Sequence, residues 1–241
     1  MERSKQSGFK ILDLPPPVEC RIVSRLNRFV VQVEVAGRYY RAHTNNTGRL
    51  HHFLVTGQTG FCLKPDKPGR TDYKLFAIAE DNLGAIIDTQ LQMTAFEAAV
   101  KMGLVPWLKE AIILRRNARL GGSFIDYLLV HNKNEVFLEV KSAVLRNNHY
   151  AMYPDCPTAR GRKHISELTE YVRGGGKAIL LFIAALPGVL AFTPDRSADR
   201  ELYNLLVKAH HAGVMMKAIN MVYRPEDTAI YLVDPNLPVE L

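Results

Sequence analysis

Asp126, Glu139 and Lys141 stand in the order Asp-x12-Glu-x-Lys, each inside an otherwise apolar run. Gly122 to Val130 reads G-S-F-I-D-Y-L-L-V, His131 to Asn134 is a polar turn, and Glu135 to Lys141 reads E-V-F-L-E-V-K. Strand alternation puts Glu139 and Lys141 on one face and Val136, Leu138 and Val140 on the other. A polar group in such a run costs several kcal/mol unless it finds a partner. Two carboxylates and an amine at the ends of adjacent strands suit a hard divalent cation, Mg2+ or Mn2+. Asp126 and Glu139 would be ligands and the Val140 carbonyl a third. That ion would activate a water against a phosphodiester, while Lys141 holds the water or the phosphate oxygen. Lys163 and Arg160 would clamp the phosphate. The competing reading is that surface strands carry such residues freely.

The elements around this pair decide how it is placed. Ser142 to Thr158 is a polar connection containing Arg146, Asn147, Asn148, His149, Tyr150 and Tyr153. A loop of that length in a compact domain is more often functional than idle. A helix follows, with Ile165, Leu168 and Val172 as its apolar stripe. Arg160, Lys163 and Glu167 lie opposite, with His164 beside them, and Gly174 to Gly176 end it. Upstream, Thr94 and Glu97 have capping-box spacing, although Glu97 would alternatively face the metal. Ala111 to Leu114 reads as a strand. Arg115, Arg116 and Arg119 follow it, either as phosphate contacts or as solvated charges. Downstream come a buried strand at Ala178 to Ala184, a strand at Val189 to Thr193, a helix at Ala198 to Ala212, and two final strands.

The chain before Gly84 reads differently. Residues 1–10 are expected as a frayed tail. Glu19 to Arg41 favours two or three strands with a hairpin turn at Ala36 and Gly37. Arg21, Arg25, Arg28, Arg38 and Arg41 interleave with Tyr39 and Tyr40, a pattern of nucleic-acid surfaces and equally of a solvated barrel face. His43 to Leu50 is a loop, and another is expected at Pro65 to Thr71. Several short strands without a long helix suggest an OB-like barrel.

The 241 residues suit two modest domains, and a net charge of +7 permits a polyanionic partner without requiring one. Three scattered cysteines lack metal-ligand spacing and fit free thiols in a reducing cytoplasm. The start of the chain has no apolar signal core, and no apolar run approaches a membrane span, so a cytoplasmic protein without a membrane partner is expected. A homodimer is left open.

The chain resembles the sugar fermentation stimulation protein A (SfsA) family over about residues 14–240. The resemblance rests on N-T-G-R-L at Asn46 to Leu50, F-I-D-Y at Phe124 to Tyr127, L-E-V-K-S at Leu138 to Ser142, and Y-P-D-C-P-T-A-R-G-R-K-H-I-S-E-L at Tyr153 to Leu168. It implies an α/β architecture. An OB-like β-barrel DNA-binding domain over 1–84 would precede a PD-(D/E)xK nuclease-like domain with a mixed central sheet over 85–241. The nuclease pattern falls on Asp126, Glu139 and Lys141, with Arg160, Gly161, Lys163 and His164 at the mouth of the same site. The expected DNA contacts, single- or double-stranded, are Arg21, Arg25, Arg38, Arg41, Arg49, Arg160, Lys163 and His164. Asp88-Thr89 stands where relatives commonly have Asn-Thr.

Two functions follow. The first is a DNA-binding protein whose nuclease-like metal site hydrolyses DNA, with Lys141, Asp126, Glu139 and Lys163 catalytic. The alternative is a non-catalytic, largely nonspecific DNA-binding regulator linked to sugar metabolism. A small-molecule or structural protein with incidental basic patches is a third reading.

Overall fold

The computed structural model describes residues 8–65, 67 and 69–241. The first seven residues of the expected frayed tail, and Asp66 and Pro68 of the expected 65–71 loop, lie outside the described residues.

One compact unit comprises the chain through Ala98 together with Ala185–Gly188 and Asn220–Asp234. Its strands are β1 (Phe9–Asp13), β2 (Val18–Asn27), β3 (Val30–Val35), β4 (Arg38–His43), β5 (Thr59–Leu63), β6 (Tyr73–Glu80) and β7 (Leu83–Ile86). β2 pairs antiparallel with β3 and β5, β3 with β4, and β5 with β6. β4 then returns beside β6 in parallel, which closes a five-stranded barrel and leaves its strands without an open edge. Closure needs bent strands, and β2 supplies two register shifts against β3. Ile22, Val31, Val33, Ala42, Cys62 and Leu75 are buried. The β3–β4 turn takes positive φ at both Ala36 and Gly37, the geometry a tight two-residue hairpin demands. β1 pairs with residues 229–232, so Phe9 and Lys10 of the expected frayed tail lie in a strand, which the buried Ile11 ties down.

The first helix, α1 (Thr89–Lys101), starts five residues before the expected Thr94 cap. Asp88 caps it, accepting the Leu91 N–H at 2.8 Å. Its fully buried carboxylate also meets Asn45 Nδ2 at 2.7 Å and Lys74 Nζ at 2.6 Å. Thr94 sits inside the helix and donates its hydroxyl to the Gln90 carbonyl. A buried, partnered acid thus sets the helix start, and the Thr-x-x-Glu spacing does not.

The second unit comprises Ala99–Ala184, Val189–Ile219 and Pro235–Leu241. After a short 3-10 turn come β8 (Ile112–Leu120), β9 (Ser123–His131), β10 (Asn134–Ser142), β11 (Leu145–Asn147), β12 (Tyr150–Tyr153), α2 (Ala159–Arg173), β13 (Lys177–Ala184), β14 (Ala191–Pro194) and α3 (Arg200–Ala212); the chain ends with β15 (Met215–Arg224) and β16 (Ala229–Leu237), whose residues 220–234 belong to the first unit. β8, β9 and β10 form an antiparallel meander. β10 runs parallel to β13, with α2 in the crossover between them, so the sheet is mixed. The Ser142 to Thr158 connection is not structureless: β11 and β12 pair, and β12 joins β14 in a small second sheet. The arginines expected to follow a short strand lie on β8 itself, which a register shift at Leu114 carries on to Leu120. Phe182 and Phe192 stack at 3.8 Å. Among the described residues no helix is long and apolar enough to cross a membrane.

Candidate functional site

The ladder between β9 and β10 runs as far as Leu138 opposite Tyr127. Past it, side chains replace backbone partners. The Val140 N–H donates to Asp126 Oδ2 at 2.8 Å, and the Asp126 N–H donates to Glu139 Oε2 at 3.3 Å. Glu139, only 2% exposed, offers its other oxygen to Lys141 Nζ and to His164 Nδ1, the latter at 2.5 Å. Arg160 Nε donates to His164 Nε2 at 3.4 Å. With that nitrogen accepting, the imidazole proton sits on Nδ1 and is donated to Glu139. A five-residue polar cluster therefore lies between the sheet and α2, brought together from β9, β10 and the helix.

The cluster separates its two carboxylates electrostatically. Burial, and then the neighbouring Glu139 charge, push the Asp126 carboxyl up to about 6, against the Val140 N–H and the Lys141 charge. Burial also opposes ionisation of Glu139, but Lys141 and the hydrogen bond from His164 outweigh it and hold the group down at about 2. Burial works against the Lys141 ammonium; Glu139 overcomes it and keeps that group above its ordinary value. Glu139 and Lys141 are thus a buried, mutually dependent ion pair.

The first turn of α2 carries no side chain at Gly161, where it packs against Tyr153 and the start of α3. A Cβ there would meet Tyr153 Oη at 2.6 Å, Thr158 Cγ2 at 2.8 Å and Leu202 Cδ1 at 3.2 Å. Thr158 caps the helix by accepting the Gly161 N–H. Asp199 caps α3 through Leu202 and also takes the Thr158 N–H and Arg162, tying the two helix starts together. Lys163 Nζ donates to the Gly122 carbonyl at 2.8 Å, and Glu167 accepts the Gly122 N–H. These two residues grip the β8–β9 turn, with the Lys163 side chain still exposed.

The expected metal site is corrected by this geometry. Among the described residues, no group of three or more His, Cys, Asp or Glu side chains can hold a metal ion. Both Glu139 oxygens and Asp126 Oδ2 already accept hydrogen bonds from protein donors. Val140, expected to ligate through its carbonyl, meets this cluster through its amide N–H, which occupies Asp126 Oδ2. A catalytic Mg2+ or Mn2+ does not fit this donor set, so the expectation of metal-activated DNA hydrolysis by Asp126, Glu139, Lys141 and Lys163 falls with it.

The basic residues of the barrel separate into different roles. All five N–H groups of Arg25 point at carbonyls: those of Asn27, Arg28, Asn46, Gly48 and Arg49, at 2.6–3.3 Å. Arg25 clamps the Asn46 to Arg49 loop and leaves Arg49 exposed on it. On the sheet, Arg21 lies opposite Glu34, which lies opposite Tyr39; the next row has Ser24, Gln32 and Arg41. Val31 and Val33 point inward, so Arg21, Tyr39 and Arg41 share the outer face. Arg38, opposite Val35, has the other parity.

The roles of His164 and Arg25 escaped the sequence reading. His164 stands at helical spacing with the buried Ile165 and Leu168, which marks the inward side. Nothing local marks Arg25, whose partners lie up to 24 residues away.

The family model for the SfsA N-terminal OB domain matches residues 23–87, and that for the sugar fermentation stimulation protein RE domain matches residues 90–227. The chain belongs to the SfsA family. A sugar fermentation stimulation protein homolog of Archaeoglobus fulgidus is 44% identical over 95% of this chain and 99% of its own length. One from Pyrococcus furiosus is 42% identical over 92% and 96%. A solved structure of Pyrococcus furiosus SfsA in complex with Ca2+ superposes with a TM-score of 0.93 at 40% identity, covering 97% of this chain and 100% of that one. The fold common to these SfsA proteins is an OB-like barrel joined to a mixed α/β domain.

Proposed function

We propose that this SfsA protein is a non-catalytic, largely nonspecific DNA-binding regulator. The observation that carries the reading is the outer face of the closed barrel, where Arg21, Tyr39 and Arg41 alternate across β2–β4 and Tyr39 is 66% exposed. OB-type barrels bind nucleic acids with such faces, cations tracking phosphates while aromatic rings stack on bases. Arg49 extends the basic surface from its loop, Arg38 stands apart from it on the other parity, and Arg25 acts through the loop it holds. The link to sugar metabolism rests on the name its relatives carry.

The functional division we infer is a barrel over 1–84 and an α/β domain over 85–241, supported by family-model matches that meet between residues 87 and 90. We assign the second domain a PD-(D/E)xK nuclease-like fold, on the acid of β9, the Glu-x-Lys of β10 and the parallel return to β13. In this reading Asp126, Glu139, Lys141 and His164 hold the sheet to α2. A divalent ion, whether Mg2+, Mn2+ or the Ca2+ of the relative's complex, enters as a ligand to be titrated and not as a hydrolytic cofactor.

The test pairs binding with cleavage. Retention of labelled DNA should weaken steeply with salt. Tyr39→Ala and Arg41→Ala should each weaken it, and prolonged incubation with Mg2+ or Mn2+ should leave the DNA intact. Cleavage products that vanish in Asp126→Ala would overturn the non-catalytic reading.

A further inference from the structure

The β8–β9 edge of the second unit carries a cationic and aromatic face that the barrel surface does not explain. Arg119 lies directly opposite Phe124, and Arg115 opposite Leu128. Phe124, Asp126 and Leu128 alternate with the buried Ile125, Tyr127 and Leu129, so Arg115, Arg119 and Phe124 share one face of the sheet. Within this unit β8 pairs with β9 alone, and its other side is open. Phe124 is 59% exposed, although a ring of that size gains most from burial. Both arginines are exposed; among the described residues Arg115 has no ion pair, and Arg119 reaches only the Gly121 carbonyl, at a long 3.4 Å. Lys163 stands at the turn end of the same strands, gripping Gly122.

We propose that this face is a track for single-stranded DNA, with Arg115 and Arg119 on phosphates and Phe124 stacked on a base. The proposal rests on the DNA-binding reading above and adds a second binding surface to it. Four residues of strand separate the two arginines by about 13 Å, enough to follow a backbone past one stacked base. A flat ring standing free needs an unstacked base, which a single strand offers and a duplex hides. The acidic groups near the track are committed elsewhere: Asp126 accepts from Val140, and Glu167 accepts from Gly122. The other use of edge-strand cations, preventing sheet-to-sheet pairing, requires no DNA affinity from them.

The experiment is anisotropy of a fluorescein-labelled oligothymidylate against the full chain over a salt series, with the matching duplex beside it. Arg115→Ala with Arg119→Ala should lower the slope of log affinity against log salt by about 1.4, because each single-strand phosphate no longer neutralised removes about 0.7. Phe124→Ser should weaken the oligothymidylate complex about ten-fold and the duplex complex much less, and Phe124→Tyr should retain the affinity. All these side chains are exposed, so melting temperatures should match the parent; if one drops, Arg115→Lys with Arg119→Lys should hold the salt slope. Unchanged affinity and slope in these variants, with the parent binding, would overturn the track and leave the barrel reading standing. A parent that binds no DNA at low salt would overturn both.

Discussion

Asp126 Oδ2 accepts the Val140 N–H at 2.8 Å just where the β9–β10 ladder ends. A side-chain carboxylate does there what a backbone carbonyl does along the rest of the pair. The strands can then part while the amide stays satisfied, and the opening is filled by Glu139, Lys141 and His164.

That arrangement makes stability depend on pH. The Asp126 carboxyl has an ordinary value of 3.8 and is pushed up to about 6 in the folded chain. The folded state therefore binds the proton more tightly than the unfolded state, and stability falls as pH rises from about 4 to 6. Above that range the ionised group costs about 3 kcal/mol. Asp126→Asn keeps an acceptor for Val140 and carries no charge. It should raise the melting temperature at pH 8, and the gain should vanish below about pH 4.

Glu139 has the opposite sign. Its folded value of about 2 lies below the ordinary 4.5, so its contribution is complete above about pH 4.5 and is lost as pH falls toward 2. Glu139→Gln leaves Lys141 buried without its counter-charge and should cost about 3–5 kcal/mol in denaturant unfolding at pH 7. Glu139→Gln combined with Lys141→Met should recover much of that loss, because no unpaired charge then remains.

Arg25→Lys removes a planar fork whose five donors meet five carbonyls, and a single ammonium cannot replace it. The Asn46 to Arg49 loop should loosen, visible as faster proteolysis within it and a lower melting temperature. DNA affinity should fall through Arg49 placement, with little change in the salt slope that Arg25 itself would have set.

Gly161→Ala places a methyl within 2.6 Å of Tyr153 Oη and 2.8 Å of Thr158 Cγ2. Either Tyr153 moves or α2 lifts, at a cost of about 1–3 kcal/mol measured by denaturant unfolding. Tyr153→Phe in the same chain should relieve part of the cost, since the closest approach is to the phenol oxygen.

Period-two alternation made β9 and β10 legible, and the apolar stripe of Ile165, Leu168 and Val172 with the Gly174 to Gly176 stop made α2 legible. The start of α1 was not, because the acid that caps it owes its position to Asn45 and Lys74, more than ten residues away in the chain. β11 and β12 were hidden in a polar connection because three- and four-residue strands carry too little periodicity to read. The carboxylates were found, but their use was misjudged: sequence spacing shows that two acids and a lysine can meet, and not which donors already occupy them.

The sequence by itself determined the family, the barrel-then-α/β order, and the residues that would gather around the β9–β10 pair. Those follow from local patterns: alternation along strands, stripes along helices, and motifs contiguous in the chain. Only the tertiary structure decided what the gathered residues do. His164 of α2 meets Glu139 of β10, and Lys141 is buried against the same oxygen. Glu139 accepts from β9, from its own strand and from α2, and Asp126 accepts from β10; pairing between elements depends on three-dimensional approach that no spacing along the chain encodes.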